Sequence, residues 1–227
     1  EKDGITVLIE HRLIKFKKTS GQNFMEAEHH GQTVRVEFDK VLLATGRKAN
    51  VEGFGLEGLH LSSTPQGTIE INEAMQTSYP NIYACGDVAG PFQFTHMASF
   101  QAFFASINAM LGGLWRMNAK YNVVPWATFT DPEVARVGLN EEEANTRSIS
   151  YEVTRYDMDN LDRALTDGEA HGFVKVLTVP GKDKILGVTI VGHHAGELIG
   201  EFVFAMTHGL GLKKISAGIY HTILKKA

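Results

Sequence analysis

The chain has 227 residues, 43% hydrophobic and 21% charged, a balance that fits one large or two modest folded domains and excludes wholesale disorder. Its 22 basic and 26 acidic residues leave a formal charge of -4, and no basic stripe interleaved with aromatics occurs, so no nucleic-acid partner is expected. The single cysteine, Cys85, excludes an intrachain disulfide, a CxxC redox pair and a thiolate metal centre, and points to a reducing, cytoplasmic compartment.

Apolar and polar residues alternate over Gly4 to Phe16, Asn23 to Glu28 and Thr33 to Phe38, with Thr19-Ser20-Gly21 and His30-Gly31 between them. This predicts three short antiparallel strands. Three strands with no helix of their own cannot bury both faces and need something further to pack against. Because apolar alternation begins almost at once, at Ile5 to Ile9, the chain reads as a fragment that starts inside a domain. Val41-Leu42-Leu43-Ala44 is wholly apolar and closes on Thr45-Gly46-Arg47. Such a segment predicts a buried parallel strand whose carboxyl-end loop, at Thr45 and Gly46, lies where open α/β sheets bind ligands.

Lys48 to Gln66, rich in Gly, Asn, Ser and Pro, reads as a surface connection, and Thr68 to Ile71 as a short strand. Thr77 to Gly90, TSYPNIYACGDVAG, follows as a turn, a short apolar strand from Ile82 to Cys85, and an acidic residue on a glycine corner. Two readings fit these residues. Gly86 and Asp87 end a strand and cap the next segment, or Asp87 presents a carboxylate to the hydroxyls of a sugar or polyol. Thr95 to Leu111 predicts a helix with Ala98, Ala102, Ala105 and Ala109 along it. Met97 to Trp115 is the most apolar long stretch, but Ser99, Gln101, Ser106 and Asn108 interrupt it, so it reads as a core helix and not a membrane span.

A second unit follows a linker at Met117 to Asn122. Strands are expected at Val124 to Thr130, Ala135 to Gly138, Ser150 to Asp157, Gly172 to Thr178 and Ile185 to Val191. Asn140 with Glu143 forms a capping box for a short helix, Gly196 to His208 is amphipathic, and Leu212 to Ala217 makes a last short helix. Sheet first and helices last predicts an α+β domain, an antiparallel sheet with helices.

Four stretches in order, VLLATGR at Val41 to Arg47, the Thr77 to Gly90 motif, TFTDPEVARVG at Thr128 to Gly138 and GVTIVGHHAGELIGE at Gly187 to Glu201, resemble the flavin-dependent pyridine nucleotide disulfide oxidoreductases. The resemblance covers nearly the whole chain and implies an FAD-dependent NAD(P)H oxidoreductase, passing hydride from nicotinamide to flavin. It implies that residues 1–46 end an NAD(P)H-binding domain, 47–118 form the returning half of an FAD-binding domain of α/β type, and 119–227 form an interface domain that makes homodimers. By match, Gly86 and Asp87 contact the flavin's ribityl and pyrophosphate region, and Thr95-His96-Met97-Ala98 presents a helix start to the flavin ring, where backbone N–H groups favour negative charge.

Departures from the family accompany these matches. Neither a GxGxxG nor the family's cysteine pair is present, and Cys85, inside an apolar strand, reads as a small core residue. Where many members carry His-Pro followed by Glu as a general acid-base pair, this chain has Tyr220 and His221, with Lys225 at the glutamate position. Tyr220 and His221 therefore stand either as catalytic candidates or as ordinary tail residues. As an isolated piece the chain is expected to be inactive, with both cofactor sites incomplete. A non-catalytic dimerisation module with inherited motifs is the competing reading. No metal ligand is expected, because His193 and His194 would point to opposite faces of a strand and His29-His30 reads as a solvated turn.

Overall fold

A computed structural model describes residues 4–111 and 115–218. The chain divides into two compact units, residues 1–48 and 49–227.

In the first unit, β1 (Arg12–Thr19), β2 (Gln22–His29) and β3 (Gln32–Phe38) form an antiparallel sheet in the order β1-β2-β3. Thr19 pairs with Gln22 and His29 with Gln32, so each hairpin closes through two residues, Ser20-Gly21 and His30-Gly31. All four have positive φ, 51° and 87° in the first turn and 49° and 80° in the second, the type I′ geometry whose twist matches the flanking strands. The register slips between Leu13 and Lys15, so Ile14 is the extra residue of a bulge. Glu26 is buried between Lys17 and Arg35, each 3.0 Å away, with Lys15 at 3.8 Å. The hydrogen bond from Lys17 is the main cause of its lowered carboxyl pKa, opposed by burial and helped by Arg35.

Two expectations need correcting here. Residues 4–11 are not strand; pairing starts at Arg12. The expected parallel strand at Val41 to Ala44 is absent, and Leu42 and Leu43 are 90% and 64% exposed. A strand exists only through neighbours, and no described segment of the chain offers this one a ladder.

The second unit opens with 3₁₀ turns at Leu56–Leu59 and Gly86–Val88 and then α1 (Thr95–Leu111). Thr68 to Ile71 and Ile82 to Cys85 shrink from the expected strands to single bridges, Ser63 with Ile69 and Gln76 with Tyr83. Beyond them β4 (Pro125–Thr128), β5 (Glu133–Gly138), β6 (Glu152–Asp157), β7 (Phe173–Thr178) and β8 (Ile185–Gly192) form an antiparallel sheet in the order β4-β5-β8-β7-β6. Four helices accompany it: α2 (Glu141–Thr146), α3 (Asp162–Asp167), α4 (Ala195–Thr207) and α5 (Leu212–Ser216). The antiparallel sheet with helices is the α+β architecture expected of this part.

Alternation along the strands sends Ala135, Val137, Val174, Val176, Val188 and Ile190 to one face, where Ile199, Phe202 and Ala205 of α4 and Ile215 of α5 cover them. The opposite face carries a polar row in register across all five strands, Trp126, Arg136, Thr189, Lys175 and Arg155. Arg136 lies over the Trp126 ring at 4.7 Å and Arg155 over Phe173 at 4.2 Å, while α2 contributes Glu141 to Lys175 and Glu143 to Arg136. Among the described residues no helix is long and apolar enough to cross a membrane.

Candidate functional site

The glycine corner after Cys85 is held by one amide side chain. Gly86 has φ 78°, and its N–H donates to Gln101 Oε1 at 2.6 Å. Gln101 Nε2 donates to Gly90 O at 2.7 Å and to the Tyr121 hydroxyl at 3.0 Å. Gln101 is fully buried, so both ends of the loop from Gly86 to Gly90 are fixed from inside α1. Within the loop the N–H groups of Ala89 and Gly90 donate to Gly86 O, at 2.9 and 3.1 Å, and Ile69 N–H donates to Val88 O at 2.8 Å. Asp87, half-buried, sits between these anchors.

The start of α1 packs against the same corner. A Cβ on Gly86 would lie 3.2 Å from Ala98 Cβ, so glycine and alanine together set the close approach of loop and helix. Ala98 N–H donates to Phe94 O at 3.0 Å, which leaves Thr95, His96 and Met97 as the residues whose first-turn N–H groups intrahelical bonding does not use. Met97 is buried, and the imidazole of His96 reaches β4, with Nε2 2.9 Å from Pro125 O and its ring stacked on Phe94 at 5.3 Å. The corner thus brings Gly86, with Asp87 beside it in sequence, against Ala98, and His96 and Met97 share that first turn of α1. Thr45 and Gly46 are exposed in the first unit, Gly46 at φ 103°. Tyr220 and His221 lie outside the described residues.

Sequence reasoning missed the brace. Gln101 and Asn108 read as interruptions of an apolar helix, yet they lie with Met97 and Ala105 on the buried stripe of α1. Asn108 Nδ2 donates to Ala74 O and Met117 O, at 3.0 and 2.7 Å, and its Oδ1 accepts from Met117 N–H at 2.8 Å. Tyr83, from the motif itself, donates to Asn108 O at 3.0 Å. Two amides at helical spacing on the buried face were the available signal. Cys85 is half-buried beside the Met75 and Ala105 cluster, consistent with a small packing residue.

A family model described as pyridine nucleotide-disulphide oxidoreductase matches residues 1–102, and one described as the dimerisation domain of that family matches residues 124–222. The chain belongs to the pyridine nucleotide-disulphide oxidoreductases. It is 36% identical over 223 residues to a dihydrolipoyl dehydrogenase of Thermus scotoductus, covering 97% of this chain and 47% of that protein. It is 32% identical over 220 residues to a mercuric reductase of Shewanella putrefaciens, covering 97% of this chain and 38% of that one. The chain therefore spans less than half the length of these relatives. Among solved structures, LpdA from Mycobacterium tuberculosis shares the fold with a TM-score of 0.85 at 22% identity, over 98% of this chain and 48% of that one. The flavoprotein disulfide reductase RclA from Escherichia coli does so with a TM-score of 0.84 at 21% identity, over 97% and 49%.

In this family member the five-stranded sheet and its helices coincide with the dimerisation-domain match. That unit also corrects the reading of its histidine pair. His193 and His194 follow β8, His194 takes a left-handed conformation at φ 57° before α4, and the two rings sit 3.8 Å apart instead of on opposite faces. They line a cavity of about 570 Å³ together with Met158, Leu161, Arg163 and Glu197.

Proposed function

We propose that this chain carries the later part of a cytoplasmic, FAD-dependent NAD(P)H oxidoreductase and its homodimerisation domain. Residues 1–46 end the NAD(P)H-binding domain, 47–118 supply the returning half of the FAD-binding domain, and 119–227 join two copies. The observation that carries this reading is the loop from Gly86 to Gly90, clamped at both ends by buried Gln101 beside the start of α1. Its groups fit a dinucleotide: a carboxylate at Asp87 to accept hydrogen bonds from sugar hydroxyls, and a helix start, brought against the loop by Gly86 and Ala98, that favours negative charge.

FAD held there would supply the redox chemistry, hydride transfer from NAD(P)H. The chain's own contribution is positioning. Asp87 orients the polyol chain, the first turn of α1 at His96 and Met97 offers backbone N–H groups, and Ala98 lets that turn sit against Gly86. Thr45 and Gly46 belong to the nucleotide-side corner, and Tyr220 and His221 are the proton-handling candidates of the tail. Exposed Leu42 and Leu43 fit a strand completed by the remainder of a nucleotide-binding sheet.

The test uses the intact gene product. Purified protein should carry visible flavin absorbance that NADH or NADPH bleaches without oxygen, and should sediment as a dimer. Asp87→Asn should lower flavin occupancy while leaving the dimer intact. A dimer that never holds flavin would replace this reading with a non-catalytic dimerisation module.

A further inference from the structure

The turn between β2 and β3 brings the adjacent His29 and His30 together with Glu10, from before β1. Arg12 pairs with Glu28, so the residues before β1 run past the end of β2, where His11 stacks on His29 and Glu10 meets His30. His30 Nε2 lies 3.4 Å from Glu10 Oε2, and the ligand atoms of Glu10, His29 and His30 all fall within 4.8 Å of one another. Strand alternation alone would send His29 and His30 to opposite faces. The left-handed φ of 49° at His30 defeats that alternation and brings the two rings to 4.2 Å. Glu10 is left-handed as well, at φ 57°. Among the described residues this is the single group of three His, Cys, Asp or Glu side chains with such convergence.

We propose that Glu10, His29 and His30 form a binding site for a late first-row divalent cation of the Zn2+ class, clipping the segment before β1 to the β2–β3 turn. Two imidazole nitrogens and one carboxylate oxygen suit that class, whereas Mg2+ and Ca2+ take oxygen ligands. Ligand distances of about 2.0–2.2 Å in a tetrahedral site put ligand atoms roughly 3.4 Å apart. The His30–Glu10 pair already stands at 3.4 Å. The wider separations, within 4.8 Å, close by at most about 1.4 Å through rotation of largely exposed side chains.

Among the described residues, Arg12, the guanidinium nearest Glu10 in sequence, is engaged by Glu28. His11 stacks flat on His29, with centroids 4.2 Å apart and planes at 11°, and its Nδ1 lies 2.6 Å from Ile9 O. His11 therefore orients His29 from behind. Three protein ligands leave a coordination position for water.

The test is calorimetric titration of the tag-free chain of 227 residues with ZnCl2 at neutral pH, with far-UV circular dichroism to establish folding of each variant. Wild type should bind one equivalent. Loss of groups that merely orient metal ligands costs about 10–100-fold in affinity, so Glu10→Gln and His30→Asn should each weaken binding by at least about tenfold. His30→Asn keeps a residue that tolerates the left-handed turn, and Glu10→Gln leaves both hairpin turns untouched, so neither depends on refolding the sheet. The double variant H193A/H194A should bind like wild type. Absence of Zn2+ binding by the wild type, or an equivalent that survives both Glu10→Gln and His30→Asn, would overturn the proposal.

Discussion

Two groups of the corner from Gly86 to Gly90 are partnered by Gln101. Replacing it with leucine keeps the volume but leaves Gly86 N–H and Gly90 O without their partner at a buried position. Each orphaned group costs about 1–3 kcal/mol, so Gln101→Leu should destabilise the second unit by roughly 2–6 kcal/mol. Urea titration should show a lower midpoint with an unchanged slope; an unshifted midpoint would mean that the loop is held by something else. Gly86→Ala tests the other side of the corner. Its φ of 78° costs a side chain about 1–2 kcal/mol of left-handed strain, and the added Cβ meets Ala98 at 3.2 Å. Adding Ala98→Gly should relieve the contact and leave the strain, so the double variant should recover only part of the lost stability. The Gly86-Asp87 corner was legible as a turn because it is written in adjacent residues. Gln101 was not, because its partner Gly86 lies fifteen residues away and nothing in a local window pairs them.

At the level of elements, short-range chemistry proved the best guide. The capping box of α2 forms as its sequence implies, with Glu143 N–H donating to Asn140 Oδ1 at 2.7 Å and Asn140 N–H to Glu143 Oε2 at 3.3 Å. The same carboxylate receives Arg136 from β5, tying the helix to the polar face of the sheet. Asn140→Ala should cost about 0.5–2 kcal/mol, read from the urea midpoint. Glu143 has a pH signature as well. The hydrogen bond from Arg136 is the chief reason its carboxyl lies below the ordinary value of 4.5, with burial opposing. Its stabilisation is therefore complete above the unfolded-state value of about 4.5 and is lost as pH falls through the lower folded-state value. Wild type should exceed Glu143→Gln in stability near neutrality, and the gap should narrow on acidification; a gap that widens in acid would reverse the assignment. The helix that escaped notice, α3, has six residues and no side-chain cap, and its signals are the Arg163–Asp167 pair at 2.6 Å and Gly168 at φ 76°. An element of that length carries too little periodicity to stand out from a loop.

The whole molecule shows where pattern stops and partners begin. Strands β4 to β8 were legible because the chain contains every neighbour they pair with, and α4 supplies the cover that their alternation calls for. Val41 to Ala44 has the composition of a buried strand but no described neighbour, and composition cannot supply one. The same contrast predicts unequal stability. The first unit is a three-stranded sheet in which every residue of β1 is exposed and whose buried centre is the Glu26 ion cluster and Ala27. Small sheets without a covered apolar face are marginal, and an ion cluster returns little net stability after desolvation. The second unit buries Phe202, Val137, Val188 and Ile190 almost completely. Amide hydrogen exchange should therefore proceed through β1 to β3 well before β5, β7 and β8, because exchange follows the local opening free energy. Phe202→Ala, which removes about 3–5 kcal/mol from a core of this kind, should accelerate exchange in β5 and β8 and leave β1 to β3 at their wild-type rates. Equal protection of the two sheets, or a Phe202 effect that spreads evenly across both, would show that the two units open as one cooperative body.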